Sequence, residues 1–295
     1  MANAPPTYRS ITTVLDSQRQ LEGGGFPVRR PFPTSRIGQI DPFLLLDEMG
    51  PVDWPANSAI GAPSHPHRGF ETVTYLLAGR VEHKDSKGNA ALLEPGDVQW
   101  MTAGSGVVHS EMPESGFRQT GGHMHGFQIW VNLPAAHKMT SPRYQDIRGA
   151  EIPVGEANGV RVKVIAGESL GESALIDTHI PITYLHVTFQ PGAELVQPLP
   201  RSNTAFAYVF DGAVTAVDAS GEAHPVSDGQ TAIFEPDGDD VYLRCPPTAK
   251  QPAQLLLLGG HPIGEPVARY GPFVMNTKQE IMQAIRDFQA GRFYD

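Results

Sequence analysis

The chain has 295 residues, 40% hydrophobic and 18% charged, which is enough to bury one large core or two ordinary ones and excludes a disordered or fibrous protein. Its 22 basic and 32 acidic side chains give a formal net charge of −10, and with no basic run this argues against direct recognition of phosphate backbones. The single cysteine, Cys245, excludes an internal disulfide and a thiolate zinc site.

The opening stretch, to Gln20, lacks the apolar run of a secretory leader. The longest aliphatic run, residues 255–258, is far too short for a bilayer span. The expectation is a soluble cytoplasmic protein, nuclear also in a eukaryote, with no membrane partner. With 31 glycines and 27 prolines and no fixed period, the text reads as many short elements joined by tight turns.

In chain order, residues 11–15 predict a first strand, and Gly23-Gly24-Gly25 with Pro27, Pro31 and Pro33 interrupt the next stretch. Residues 41–48, Asp-Pro-Phe-Leu-Leu-Leu-Asp-Glu, predict a buried strand. Strands are then predicted over 72–77, 80–83, 90–93, 98–100 and 127–133, divided by Gly79, Gly88, Pro95-Gly96-Asp97 and Pro134. Strands spaced in this way signal a sandwich or barrel. The second half repeats the plan: residues 184–189, 205–210 and 231–234 predict strands, closed by Pro191-Gly192 and Asp211-Gly212 and opened by Asp228-Gly229. This is an internal duplication with its seam near 136–160, and the predicted division is one domain over 1–140 and a second over 141–295. The second ends in a helix: Thr277 as N-cap with Glu280 three residues on is a capping box, Ile281, Ile285 and Phe288 form one stripe, and Gly291 is the stop.

The chemistry lies in two segments, Ser64-His65-Pro66-His67-Arg68-Gly69-Phe70-Glu71 and Ser105-Gly106-Val107-Val108-His109-Ser110-Glu111. On a strand, residues two apart share a face, so His65 and His67 point one way, and so do His109 and Glu111. Two such segments in one barrel converge three imidazoles and one carboxylate. That donor set suits a first-row divalent ion (iron, manganese, cobalt, nickel, copper or zinc) with coordination places left open for chemistry. The duplication supplies a control. Registering Gly79 on Gly212 sets His65 on Pro198, His67 on Pro200 and Glu71 on Thr204; registering Gly96 on Gly229 sets His109 on Tyr242 and Glu111 on Arg244. The second copy keeps the strands and loses the ligands, so one metal per chain is expected, in the first half.

At these residues the chain resembles the pirins of the cupin superfamily. The likeness rests on the 41–48 string, His65-Pro66-His67-Arg68-Gly69-Phe70-Glu71-Thr72-Val73, Pro95-Gly96-Asp97-Val98-Gln99-Trp100-Met101-Thr102-Ala103-Gly104 and His125-Gly126-Phe127-Gln128-Ile129-Trp130-Val131-Asn132-Leu133. The resemblance implies an all-β bicupin, two antiparallel jelly-roll barrels face to face and a short C-terminal helix. It implies His65, His67, His109 and Glu111 as ligands of one metal, Fe(II) before Mn, Ni, Co, Cu or Zn. Cupins generally use the Glu after the His-x-His pair, here Glu71; pirins take Glu111 instead, which leaves Glu71 to orient a ligand histidine. The resemblance further implies a monomer with quercetin 2,3-dioxygenase activity on flavonol-like substrates and dioxygen, with Glu111 as the base. The alternative is an iron-dependent regulator of transcription or of a metabolic enzyme, acting through a protein partner.

His125 and Trp100 are further pocket candidates. His123 reads as solvent-facing or as a group near a ligand, His83 as a surface strand residue, Asp47 and Glu48 as pocket rim or solvated turn, and Cys245 as a buried small residue.

Overall fold

The computed structural model describes residues 7–293. Two compact units are present, each built from one seven-stranded and one four-stranded antiparallel sheet.

The unit that carries the histidines comprises Gln18–Glu151 and the chain from Ile263 onward. Its larger sheet runs, in spatial order, Arg143–Ile147, Val98–Thr102, Phe70–Ala78, Gly122–Asn132, Phe43–Trp54, Phe26–Phe32 and Gln18–Glu22. The smaller runs Ala62–His67, Val107–Pro113, Val81–Asp85 and Ala90–Leu93. Strand Phe70–Ala78 is buried along most of its length rather than alternating, which marks a strand covered on both faces. Part of that cover comes from the far end of the chain: Leu44 and Phe70 pack with Val274, and Val108 packs with Phe273, Met275, Ile281, Ala284 and Phe293.

The helix is Lys278–Gln289, with Thr277 and Glu280 forming the predicted capping box and Ile281 and Ala284 buried. Its place departs from the expected division at 140. It packs against the histidine-bearing half, while the first strand, Ile11–Asp16, pairs with Gln230–Phe234 of the other unit. The exchange has a local cause. Val274 donates its backbone N–H to the Arg68 carbonyl at 3.0 Å, and Gly69, at φ +89°, has room for no Cβ because the Val274 carbonyl would lie 2.0 Å from it. Such a contact between distant backbones leaves no periodic trace in the sequence.

The other unit joins the segment up to Ser17 to Ile152–Pro262. Its central strand is Ala253–Gly260, which contains the 255–258 leucine run and lies between Ile182–Phe189 and Thr204–Asp211. The smaller sheet, in the order Glu194–Pro198, Asp240–Arg244, Ala213–Val217 and Ala223–Ser227, repeats the plan of the histidine-bearing sheet. The ungapped register of the sequence needs correction here. Tyr242 pairs with Val196, not Pro198, and its ring lies 4.8 Å from that of Tyr8 at a tilt. The neighbours that enter the core are Val241 and Leu243, opposite Gln197 and Leu195. A slip of one residue exchanges the faces of a strand. The conclusion drawn from the register is unaffected, since this interior is filled by Leu195, Val214, Val226, Val241 and Leu243. Cys245 is buried beside them.

Candidate metal centre

Strand Ala62–His67 lies antiparallel to Val107–Pro113, with His65 directly opposite His109 and His67 opposite Val107. The two-residue period does the rest: His65, His67 and His109 turn to one side, their ring centroids 4.4 to 4.8 Å apart. One nitrogen from each ring falls within 4.8 Å of the other two. A register shift after His109 then brings Glu111 opposite Ala62.

The nitrogens are arranged as ligands. His65 Nδ1 lies 2.7 Å from the Pro63 carbonyl, an acceptor only, so Nδ1 carries the proton and Nε2 offers its lone pair. That Nε2 is 3.0 Å from His67 Nε2, about the separation of two cis ligands on an ion with metal–nitrogen bonds of about 2.1 Å. Burial, then the neighbouring His65, pushes the His67 pKa well below its usual value. Burial, then His67, His65 and His83, does the same for His109. Both are held neutral, the state in which imidazole binds a metal. His109 is 2% exposed, yet neither ring nitrogen has a hydrogen-bond partner. An orphaned buried nitrogen beside two other imidazoles fits a divalent ion.

Glu111 stands at the edge of this group. Its carboxylate is outside the cluster of three, with Oε1 2.8 Å from the Thr74 hydroxyl. It lines the same cavity of about 520 Å³ as His65, His67, Gln128 and Trp130. It also lines a narrower apolar recess with Phe26, Met49, Trp54, Ile60 and Met124. Glu111 therefore borders both cavities.

The remaining candidates divide. Asp47 lines the cavity, clamped by Arg30 at 2.6 and 2.5 Å. Glu71 is 1% exposed, accepts from the Thr102 hydroxyl at 2.6 Å and does not line the cavity. Trp100 is core, fully buried and away from the cavity. His125 is also excluded from it: Nε2 lies 2.8 Å from Glu48 Oε1, and Arg29 grips the same carboxylate at 2.7 Å. His123 faces solvent beside Asp53.

His83 corrects the expectation of a surface residue. It is 1% exposed, directly opposite Glu111 on the neighbouring strand, with its ring 4.9 Å from His109 and neither nitrogen partnered. Burial outweighs the pull of Glu111 and lowers its pKa. Alternation from Val81 through His83 to Asp85 was the available signal, hidden by the polar residues between. Arg269, Trp130, Gln128 and Thr74 went unmarked because only tertiary structure brings them to the site.

Two antiparallel barrels in tandem, with imidazoles gathered in one and an apolar core in the other, define a bicupin with a candidate metal centre among the imidazoles of the first. The chain belongs to the pirin family. The family models described as Pirin and Pirin C-terminal cupin domain match residues 25–131 and 184–294. Pirin-like protein 2 of Arabidopsis thaliana is 44% identical, covering 96% of this chain and 85% of its own length. Pirin of Homo sapiens is 40% identical, covering 95% and 92%. The crystal structure of quercetin 2,3-dioxygenase from Acinetobacter baumannii superimposes with a TM-score of 0.88 at 38% identity, covering 97% of this chain and 99% of that one.

Proposed function

We propose that the protein is a mononuclear non-haem iron oxygenase of the quercetin 2,3-dioxygenase type, acting on flavonol-like substrates. The observation that carries this reading is the convergence of His65, His67 and His109, the first two of which line a cavity together with Glu111, while Glu111 also lines an apolar recess. The likeness to the Acinetobacter baumannii enzyme supports the choice of substrate class.

His65, His67 and His109 would hold the ion, with Glu111 as the fourth ligand. Bound there, iron supplies the affinity for the substrate's 3-oxygen and for dioxygen, together with the redox step. The chain's own residues do the rest. Glu111, steadied by the Thr74 hydroxyl, takes the proton of the flavonol 3-hydroxyl on a carboxylate oxygen. Trp130 and the recess around Phe26 and Met49 bury the aromatic rings and keep water away. In the net reaction the two atoms of dioxygen end on C2 and C4 of the flavonol, the C2–C3 and C3–C4 bonds break, and C3 leaves with its own oxygen as carbon monoxide.

The test is to load the protein with Fe(II), add quercetin and oxygen, and follow flavonol absorbance together with carbon monoxide. Turnover that disappears in His65→Ala is the expected result. Constant absorbance with every flavonol tried would contradict the proposal and favour the regulatory alternative.

A further inference from the structure

Three arginines near the histidine-bearing strands have their charge taken up by carboxylates: Arg29 by Glu48, Arg30 by Asp47 and Glu22, and Arg68 by Asp287. Arg269 differs. It lines the cavity with His65 and His67, and no carboxylate pairs with it among the described residues. Its hydrogen bond to the protein is a long one, from Nη1 to the Leu44 carbonyl at 3.4 Å. What holds it is Trp130, whose ring lies 4.6 Å below the guanidinium carbon. The same indole is 5.3 Å from the His67 ring. The guanidinium and the His67 imidazole thus neighbour the same indole.

This placement has a chemical meaning. A guanidinium held over an indole by its charge still has N–H groups to donate to a carboxylate. Burial, then the neighbouring Arg30, disfavours its charge, and Asp47 and Glu22 only partly offset this. Both of those carboxylates are already bound to Arg30. An anion brought by a ligand would supply the missing partner.

We propose that Arg269 is the anion anchor of this cavity, and that the preferred substrate is an aromatic hydroxy compound carrying a carboxylate across the ring system from its metal-binding oxygen. This rests on the oxygenase reading for the position of that oxygen; the anchor itself rests on Arg269 and Trp130.

The experiment uses protein loaded with redox-inert Zn(II), so that binding is read without turnover. 3-Hydroxyflavone and 3-hydroxyflavone-4′-carboxylate are titrated and followed by flavonol fluorescence. Wild-type protein is expected to bind the carboxylate at least about tenfold more tightly, the worth of one charge-assisted hydrogen bond. Arg269→Met should erase that preference and leave the neutral parent unchanged, while Arg269→Lys keeps part of it. Equal affinities in wild type, or a preference that survives Arg269→Met, would overturn the anchor and leave the flavonol reading standing. If neither flavonol binds wild type, the flavonol reading fails, and naphthalene-2-carboxylate against naphthalene-2-carboxamide decides the anchor. A carboxylate preference lost in Arg269→Met supports it; no preference, or one the variant retains, overturns it.

Discussion

Replacing Asp287 with alanine should unfold the histidine-bearing unit early, although Asp287 lies on the C-terminal helix. Arg68, the residue after His67, donates from Nη1 to Asp287 Oδ2 at 2.7 Å, and the two side chains are 6% and 12% exposed. The carboxylate also accepts from Gln283 at 2.6 Å and from Arg292. Burial raises its pKa, but these donors outweigh burial and hold it at about 2. Removing one partner of a buried pair costs about 3–5 kcal/mol because the other charge is stranded. Arg68 would keep its bond to the Ser105 carbonyl at 2.6 Å and its place over the Phe293 ring, so about 3 kcal/mol is the expected loss. Urea unfolding followed by tryptophan fluorescence measures it cleanly, since Trp54, Trp100 and Trp130 all belong to this unit. Metal affinity should fall as well, because Arg68 anchors the end of the His67 strand. A double variant, Arg68→Met with Asp287→Leu, should be less destabilised than Asp287→Ala alone. A loss under about 1 kcal/mol for the single variant, typical of a surface pair, would refute the reasoning.

Metal-free protein should lose stability as pH falls below about 6.5. Burial depresses the His67, His83 and His109 pKa values below that ordinary value, so the unfolded chain takes up protons that the native state resists. A melting temperature that does not change between pH 7.5 and 5.5 would contradict this. Lys138→Met should cost about 2–4 kcal/mol in urea unfolding at pH 7, because Lys138 Nζ donates to the Gly69 carbonyl, Asn132 Oδ1 and the Val274 carbonyl. Burial lowers the Lys138 pKa from 10.5 to about 8, so the wild type should gain stability from pH 8 to 10.5, and the variant should lack that gain. Gly69→Ala should cost at least about 2 kcal/mol through positive φ and the clash with Val274; an unchanged thermal melt would contradict the tight approach.

The sequence carried the local half of this architecture. Alternation fixed most barrel strands, the capping box fixed the helix, and the His-x-His spacing marked His65 and His67, because each of these signals lies within a few residues. What stayed hidden depends on pairing between distant segments. The register that sets His109 opposite His65 passes through a bulge before Glu111, and no spacing rule encodes it. The ungapped comparison of the two halves slipped by one residue at Tyr242 for the same reason. The return of residues 263–293 to the first barrel is written in a missing Cβ at Gly69 and a buried amine at Lys138, single residues with no pattern around them to signal the contact. Two pocket candidates lie elsewhere: His125 shares a string with the cavity-lining Gln128 and Trp130 but turns to Glu48, and Trp100 is buried in the core.

Elemental analysis of the purified protein beside its His67→Ala and His109→Ala variants addresses the metal centre directly. About one equivalent of a first-row divalent metal per chain is expected in the wild type and almost none in either variant, while the tryptophan fluorescence of the folded unit is retained. Wild-type protein that takes up no metal when dialysed against Fe(II), or variants that keep a full equivalent, would contradict it.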